Sequence, residues 1–269
     1  MGNPQGIAFD GAHLWVTNGR TLIKIRASDG SILISVAVGD ANNAGNLQGV
    51  AFDGAHVWVA DSGGSVWKCR TSDGACAASY GVGGNPQELA FDGANIWVTR
   101  SDDSTVTKLR ATDGAILGTF AVGAEPRGVV FDRVHIWVAN SSGNSVTKLR
   151  ASDGANQGTF DVGTNPRRVA FDGAHIWVTN LGTNNVTKLR ASDGVVLGTF
   201  GVGNGPTGVA FDGANVWVAN SGDNTVTKLR ASDGTSLGTF AVGSGPRGVA
   251  FDGTNIWVTN FNSKSVSKR

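Results

Sequence analysis

The pair Phe-Asp recurs at residues 9, 52, 91, 131, 171, 211 and 251, and a tryptophan follows six residues behind each phenylalanine: Trp15, Trp58, Trp97, Trp137, Trp177, Trp217 and Trp257. A spacing of about 40 residues held along a whole chain marks a repeat architecture, in which each unit buries its apolar surface only against its neighbours. Seven units account for the 269 residues, and no shift in composition marks a linker between them. Only Trp67 of the eight tryptophans stands outside the series. The nine residues VTKLRASDG recur letter for letter at 146–154, 186–194 and 226–234.

One unit, PRGVVFDRVHIWVANSSGNSVTKLRASDGANQGTFDVG (126–163), divides into four short runs rich in Val, Ile, Thr and aromatics, separated by Gly, Asp, Asn and Ser. Runs of that length and composition are strands, and DG and SDG supply residues that tolerate the positive φ of tight hairpin turns. Forty glycines against a single Tyr and a single Met fit the same picture, and nothing reads as a helix. The expected fold is all-β: a seven-bladed β-propeller of four-stranded antiparallel blades in one domain spanning 1–269. The blades are expected near 3–45, 46–84, 85–124, 125–164, 165–204, 205–244 and 245–269. Runs such as Ile136, Trp137 and Val138 are then apolar on both faces because each blade is sandwiched between two others.

The last unit breaks off within its third run, with Val266 aligned on Val226 and Lys268 on Lys228. Blade seven is therefore expected to be incomplete and to expose an edge strand. Either the sequence is part of a longer chain or an imperfect ring, or another chain acts as strand donor. Cys69 and Cys76 flank a DG turn, where hairpin pairing sets them opposite each other, as a disulfide or as two small buried thiols.

Lys and Arg number 22 against 21 Asp and Glu, a net charge of +1 that gives no general attraction to nucleic acid or to a membrane surface. No apolar run approaches the roughly 18 residues of a membrane span, and the start MGNPQGIAFDG already belongs to the first repeat, so no signal peptide is read in this chain.

If the invariant letters build the scaffold, specific chemistry belongs where the units disagree. Loops after the first and third strands leave on one face and are monotonous. His13, His56, His135 and His175 all fall there, at a turn position that carries Asn95, Asn215 or Asn255 elsewhere. Equivalent positions on separate blades do not converge, so neither these histidines nor the turn aspartates Asp10, Asp53, Asp92, Asp132, Asp172, Asp212 and Asp252 are expected to ligate a metal. No cofactor is expected. The opposite face varies. The first strand carries Gln5, Gln48, Gln87, Arg127, Arg167, Thr207 and Arg247 at one position, and Glu88 and Arg168 replace the glycine that usually follows. Adding Arg100, Asp102, Asp103 and Glu125 gives a charged sector, and the connection VGDANNAGNLQG (38–49) adds a longer loop. Arginine forks suit carboxylate, sulfate or phosphate, so the expected partner is a protein, or a polar small molecule or glycan, held at this face.

The stretches PTGVAFDGANVWVAN (206–220) and PRGVAFDGTNIWVTN (246–260) resemble the YVTN and NHL repeat propellers, over essentially the whole chain. That resemblance implies an interaction or surface module of an exported or cell-surface bacterial or archaeal protein, or, in the manner of NHL domains, an RNA-binding one. RNA binding calls for a broadly basic face with exposed aromatics, of which Phe261 is the one obvious candidate. The IWVTN strand also resembles, more distantly, the IWFTE-like strand of streptogramin lyases, seven-bladed propellers that use His and Glu around magnesium. Here the strand ends in Asn18, Asp61, Arg100, Asn140, Asn180, Asn220 and Asn260, never in Glu. Only Glu88 or Glu125 is left as a general base on that face. A non-catalytic scaffold is the leading expectation, with a metal-dependent lyase and an RNA-binding propeller as alternatives.

Overall fold

A computed structural model describes residues 2–39 and 45–269. Seven antiparallel sheets follow one another along the chain, six of four strands in sequence order and the last of three. No helix occurs among the described residues. Residues 40–44 of the long first connection lie outside the description.

The first strands are Pro4–Phe9, Leu47–Phe52, Pro86–Phe91, Pro126–Phe131, Pro166–Phe171, Pro206–Phe211 and Pro246–Phe251. Each contacts the first strand of the blade on either side, and Pro4–Phe9 meets Pro246–Phe251 to close the ring. First strands therefore surround the axis. Fourth strands such as Ile116–Ala121 lie outermost and alternate exposed with half-buried residues.

The second strands carry the core. In His135–Asn140 every residue after the first is buried, because one face meets the preceding blade and the other the following one. Trp137 packs with Val169, Ile176, Val178 and Leu189 of the next blade. Its ring tilts against Phe160 at 5.6 Å, and Lys148 Nζ sits 5.1 Å from the ring centroid. That lysine then donates 2.8 Å hydrogen bonds to the carbonyls of Ala191 and Ser192 in the next blade. Lys268 does the same to Ala27 and thereby ties the last blade to the first.

The Phe-Asp…Trp spacing has a local cause. Asp132 Oδ1 accepts from the backbone N–H of Val134 and His135, while Oδ2 accepts from Trp137 Nε1 at 2.8 Å. The carboxylate forms the turn and satisfies the one polar atom of a buried indole. The turn histidines and asparagines serve the same carboxylate: His175 Nδ1 lies 3.0 Å from Asp172 Oδ2, and Asn215 Nδ2 donates to Asp212 Oδ2 at 3.0 Å. In blade two a disulfide joins Cys69 and Cys76, which face each other across the third and fourth strands.

Arg133 departs from the repeat. It holds φ 83°, where Gly173 holds 100° and Gly213 holds 97°. A left-handed conformation costs a side-chain residue about 1–2 kcal/mol, and the 6.0 Å approach of its guanidinium to the Phe171 ring returns only part of that. Arg133→Gly is expected to raise stability by roughly 1 kcal/mol, measured as an increased midpoint in urea with an unchanged slope.

Candidate functional site at the axial mouth

The variable residues reach the axis through a backbone irregularity that every blade repeats. Pro126 pairs with Asn140 and Val129 with Val138, so Arg127 and Gly128 together face the single residue Ala139. The same shift lies between Pro166 and Val169 and between Pro246 and Val249. A bulge places two residues against one, bends the strand and re-aims its side chains. Its first residue is Gln5, Gln48, Gln87, Arg127, Arg167, Thr207 or Arg247, and all seven line one cup of about 660 Å³ at the mouth of the axial channel.

The second bulge residue points into the channel, and most blades have no room there. A Cβ at Gly128 would come within 2.7 Å of Arg168 Cα, and one at Gly208 within 2.1 Å of the Arg247 carbonyl oxygen. Glu88 and Arg168 are the two exceptions, and they form an ion pair with each other, blade three to blade five. Arg168 lines both the cup and a narrower cavity of about 110 Å³, which Glu88 also lines. The pair stands at the floor of the cup, with the Glu88 side chain only 14% exposed, and is not a solvated surface pair.

Around the wall the arginines differ in how far they are satisfied. Arg127 donates to Gln87 Oε1 at 2.8 Å and pairs with Glu125. Glu125 holds φ 54°, a left-handed position filled by Asn85 and Asn165 in neighbouring blades. The hydrogen bond from Ser142, and then that from Arg127, keep its carboxyl below the usual glutamate range. Arg247 donates to Gln5 Oε1 at 2.8 Å and stacks on Phe261, 3.7 Å from the ring centroid. Phe261 is thus half-buried beneath a guanidinium. Arg167 forms neither a hydrogen bond nor an ion pair with any described residue, and its Nε is buried. Burial first, and then Arg127, push its pKa down from the ordinary arginine value; Arg247 adds to this and Glu125 opposes it.

The structure therefore divides the predicted sector. Arg127, Arg167, Arg168 and Arg247 share the cup, Glu88 sits below it, and Glu125 is tied to Arg127. Arg100, Asp102 and Asp103 do not line the cup. Arg100 occupies the position at which Asn140 donates to Ser145 and Thr147 on the third strand. It reaches the equivalent Thr107 at 3.4 Å and pairs with Asp103. Asp102 accepts from Asn85 Nδ2 at 3.1 Å. All three complete blade contacts. The amides Gln5 and Gln87 share the cup with the arginines, as their equivalence to Arg127 in the repeat implies.

A divalent metal does not suit this donor set. No three His, Cys, Asp or Glu side chains come together among the described residues, and both glutamates are paired with arginines.

Neither a family model nor a curated protein matches the sequence. Solved structures do. The chain is similar to Kuenenia stuttgartiensis hydrazine synthase, with TM-score 0.88 at 19% identity, covering 99% of this chain and 95% of that one. It is also similar to a streptogramin B lyase, with TM-score 0.83 at 17% identity over 99% and 94% of the two chains. A catalytically inactive virginiamycin B lyase from Staphylococcus aureus, solved with quinupristin, gives TM-score 0.84 at 19% identity over 99% and 94%. At such identities the likeness is one of fold: this chain is a seven-bladed propeller with streptogramin B lyase-like structural neighbours.

Proposed function

We propose that this protein is a non-catalytic binding propeller of the YVTN/NHL type, and that its cup holds the anionic group of a polar small molecule, a glycan or a protein partner. One observation carries the reading. Arg167 presents a guanidinium with no partner among the described residues, beside two further arginines, in a concave site at the propeller axis. Like charges brought together in a partly desolvated cup are costly unless an anion joins them. A carboxylate, sulfate or phosphate supplies the missing acceptor, with two parallel bonds available from each fork. An exported or cell-surface setting accords with the Cys69–Cys76 disulfide, since such bonds persist in oxidising compartments. The lyase alternative draws less support, because the histidines lie at the opposite turns, each against its own aspartate. RNA binding has less as well, with Phe261 engaged by Arg247.

Calorimetric titration with sulfate, phosphate and citrate at low ionic strength tests the reading. Arg167→Gln is expected to weaken the preferred anion by roughly 10- to 100-fold, the worth of a charge-assisted bidentate contact. Glu125→Asn keeps a residue suited to φ 54° and frees Arg127 from its carboxylate, so it is expected to tighten binding by about two- to fivefold. An unchanged affinity in Arg167→Gln, or no binding of any of the three anions by the parent protein, would refute the proposal.

A further inference from the structure

The charges of the cup do not cancel, and what is left over lies on one side of it. Two of its arginines are neutralised within the molecule, Arg127 by Glu125 and Arg168 by Glu88, and these are the only glutamates in the chain. Arg167 and Arg247 have no carboxylate partner among the described residues: Arg167 has no partner at all, and Arg247 has the neutral Gln5 amide and the Phe261 ring. They belong to blades five and seven, and blade six sets the uncharged Thr207 at the position between them. After burial and Arg127, Arg247 also lowers the Arg167 pKa, and burial lowers that of Arg247 itself. Two such guanidiniums in a partly desolvated wall call for two negative charges, one for each fork.

The other side is neutral. Gln5, Gln48 and Gln87 hold the same bulge position on blades one to three, and they differ in what they leave open. Gln87 is fully engaged: its Oε1 accepts from Arg127, and its Nε2 donates to Asn85 Oδ1 at 2.7 Å. Gln5 commits its Oε1 to Arg247 and keeps its Nε2 free, while the Gln48 side chain forms no hydrogen bond with a described residue. A carboxamide both donates and accepts, as a sugar hydroxyl does. Pockets for drug-like ligands are lined mainly by apolar side chains, but here Leu181 and Phe261 are the only large ones, and Arg247 covers one face of Phe261. At about 660 Å³ the cup has room for a whole small molecule and not only for one ion. Its occupant is therefore polar throughout, without the flat apolar surface of a nucleobase.

We infer that the cup is a site for an acidic oligosaccharide with neighbouring uronate residues, which sets one carboxylate on Arg167, the next on Arg247, and its hydroxyls on Gln5 and Gln48. The inference rests on the anion-binding reading above and narrows it to one class of ligand. Consecutive uronates supply the two negative charges that the unpaired guanidiniums leave open, and their hydroxyl-rich body suits walls of amides and hydroxyls. An acidic peptide carries the same charge, but it holds its carboxylates on flexible side chains whose ordering opposes binding. A uronate carboxylate is attached directly to the sugar ring and is already fixed in direction.

The probes are three diuronides, built from galacturonate, glucuronate and mannuronate, titrated calorimetrically into the intact protein at low ionic strength beside their monouronates, their methyl esters, glutamylglutamate and sulfate. At least one diuronide is expected to bind at one per protein, roughly tenfold tighter than its monouronate or sulfate, and its methyl ester is expected not to bind. Arg167→Gln and Arg247→Gln should each weaken that diuronide roughly tenfold, the loss of a charge-assisted contact, and Gln48→Ala about fivefold, the loss of a neutral one. Arg247→Lys, which keeps the charge without the fork, should recover only part of the loss. The inference is overturned if no diuronide exceeds its monouronate, if Arg247→Gln leaves the diuronide affinity unchanged, or if glutamylglutamate binds as tightly as the best diuronide, since the occupant is then an acidic peptide. Sulfate separates the two levels of failure. Sulfate binding that is lost in Arg167→Gln, with no preference for diuronides, keeps the anion site and refutes the sugar alone, whereas no binding of any anion refutes both.

Discussion

Replacing Asp172 with alanine is expected to lower stability by about 3 kcal/mol at pH 7, the cost of leaving a buried indole donor and a turn without their charged acceptor. The carboxylate accepts from Ala174 N–H at 2.9 Å, His175 N–H at 2.7 Å and Trp177 Nε1 at 2.8 Å. Burial by itself would raise the Asp172 pKa, but these bonds outweigh it and the net shift is downward. The pH dependence follows from that sign. A carboxylate whose folded pKa lies below its unfolded one, near 3.9, contributes stability that is complete above the unfolded value and fades as pH falls through the folded one. Asp10, Asp212 and Asp252 are shifted the same way for the same reasons. The parent protein should therefore lose stability steeply below about pH 4, while the penalty of Asp172→Ala shrinks over that window. Urea denaturation at pH 7, 4 and 3 measures both. A penalty independent of pH would mean that the side chain acts through packing and not through its charge.

That carboxylate shows how far the letters carry. The aspartate's turn role is legible, because Asp followed by Gly in a short link between two strands has few other uses. The acceptor role toward Trp177 is not, since nothing in a linear spacing states that a ring nitrogen five residues on returns to the same side chain. The fold is legible because its period of 40 repeats without interruption, and repetition averages away the ambiguity of any single strand. The axial site is only half legible. Comparing units picks out Arg127, Arg167 and Arg247, but it cannot say that two residues of the first strand share one partner on the second, and that bulge is what turns them toward the axis. Arg100 misleads for the converse reason. A departure from a repeated Asn resembles an added function, whereas here a longer donor reaches the same strand-three hydroxyl. Glu88 and Arg168 lie 80 positions apart, exactly two repeats, so their pairing across the intervening blade is visible only in the closed ring.

Lys148 and Lys228 occupy the same letter of the repeat and are expected to respond differently to substitution by methionine. Lys148 is 4% exposed, stacks on Trp137 and donates to two carbonyls of the next blade. Burial pushes its pKa down against the opposing pull of Asp132 and Asp193, so the charge itself is held at a cost that methionine would relieve. Methionine keeps the apolar stem over the indole, but it leaves two carbonyls without a donor. Unmet buried acceptors cost about 1–3 kcal/mol each and the lost cation–π contact adds to that, so the carbonyls outweigh the relief and Lys148→Met should cost about 2–3 kcal/mol net. Lys228 keeps only its stack on Trp217, in a contact whose carbonyl partners are not among the described residues. Lys228→Met should therefore change stability by less than about 1 kcal/mol. Guanidinium melts of the two variants measure the difference. Equal costs for the two substitutions would mean that the indole stack, and not the inter-blade carbonyl bonds, is what the repeated lysine contributes.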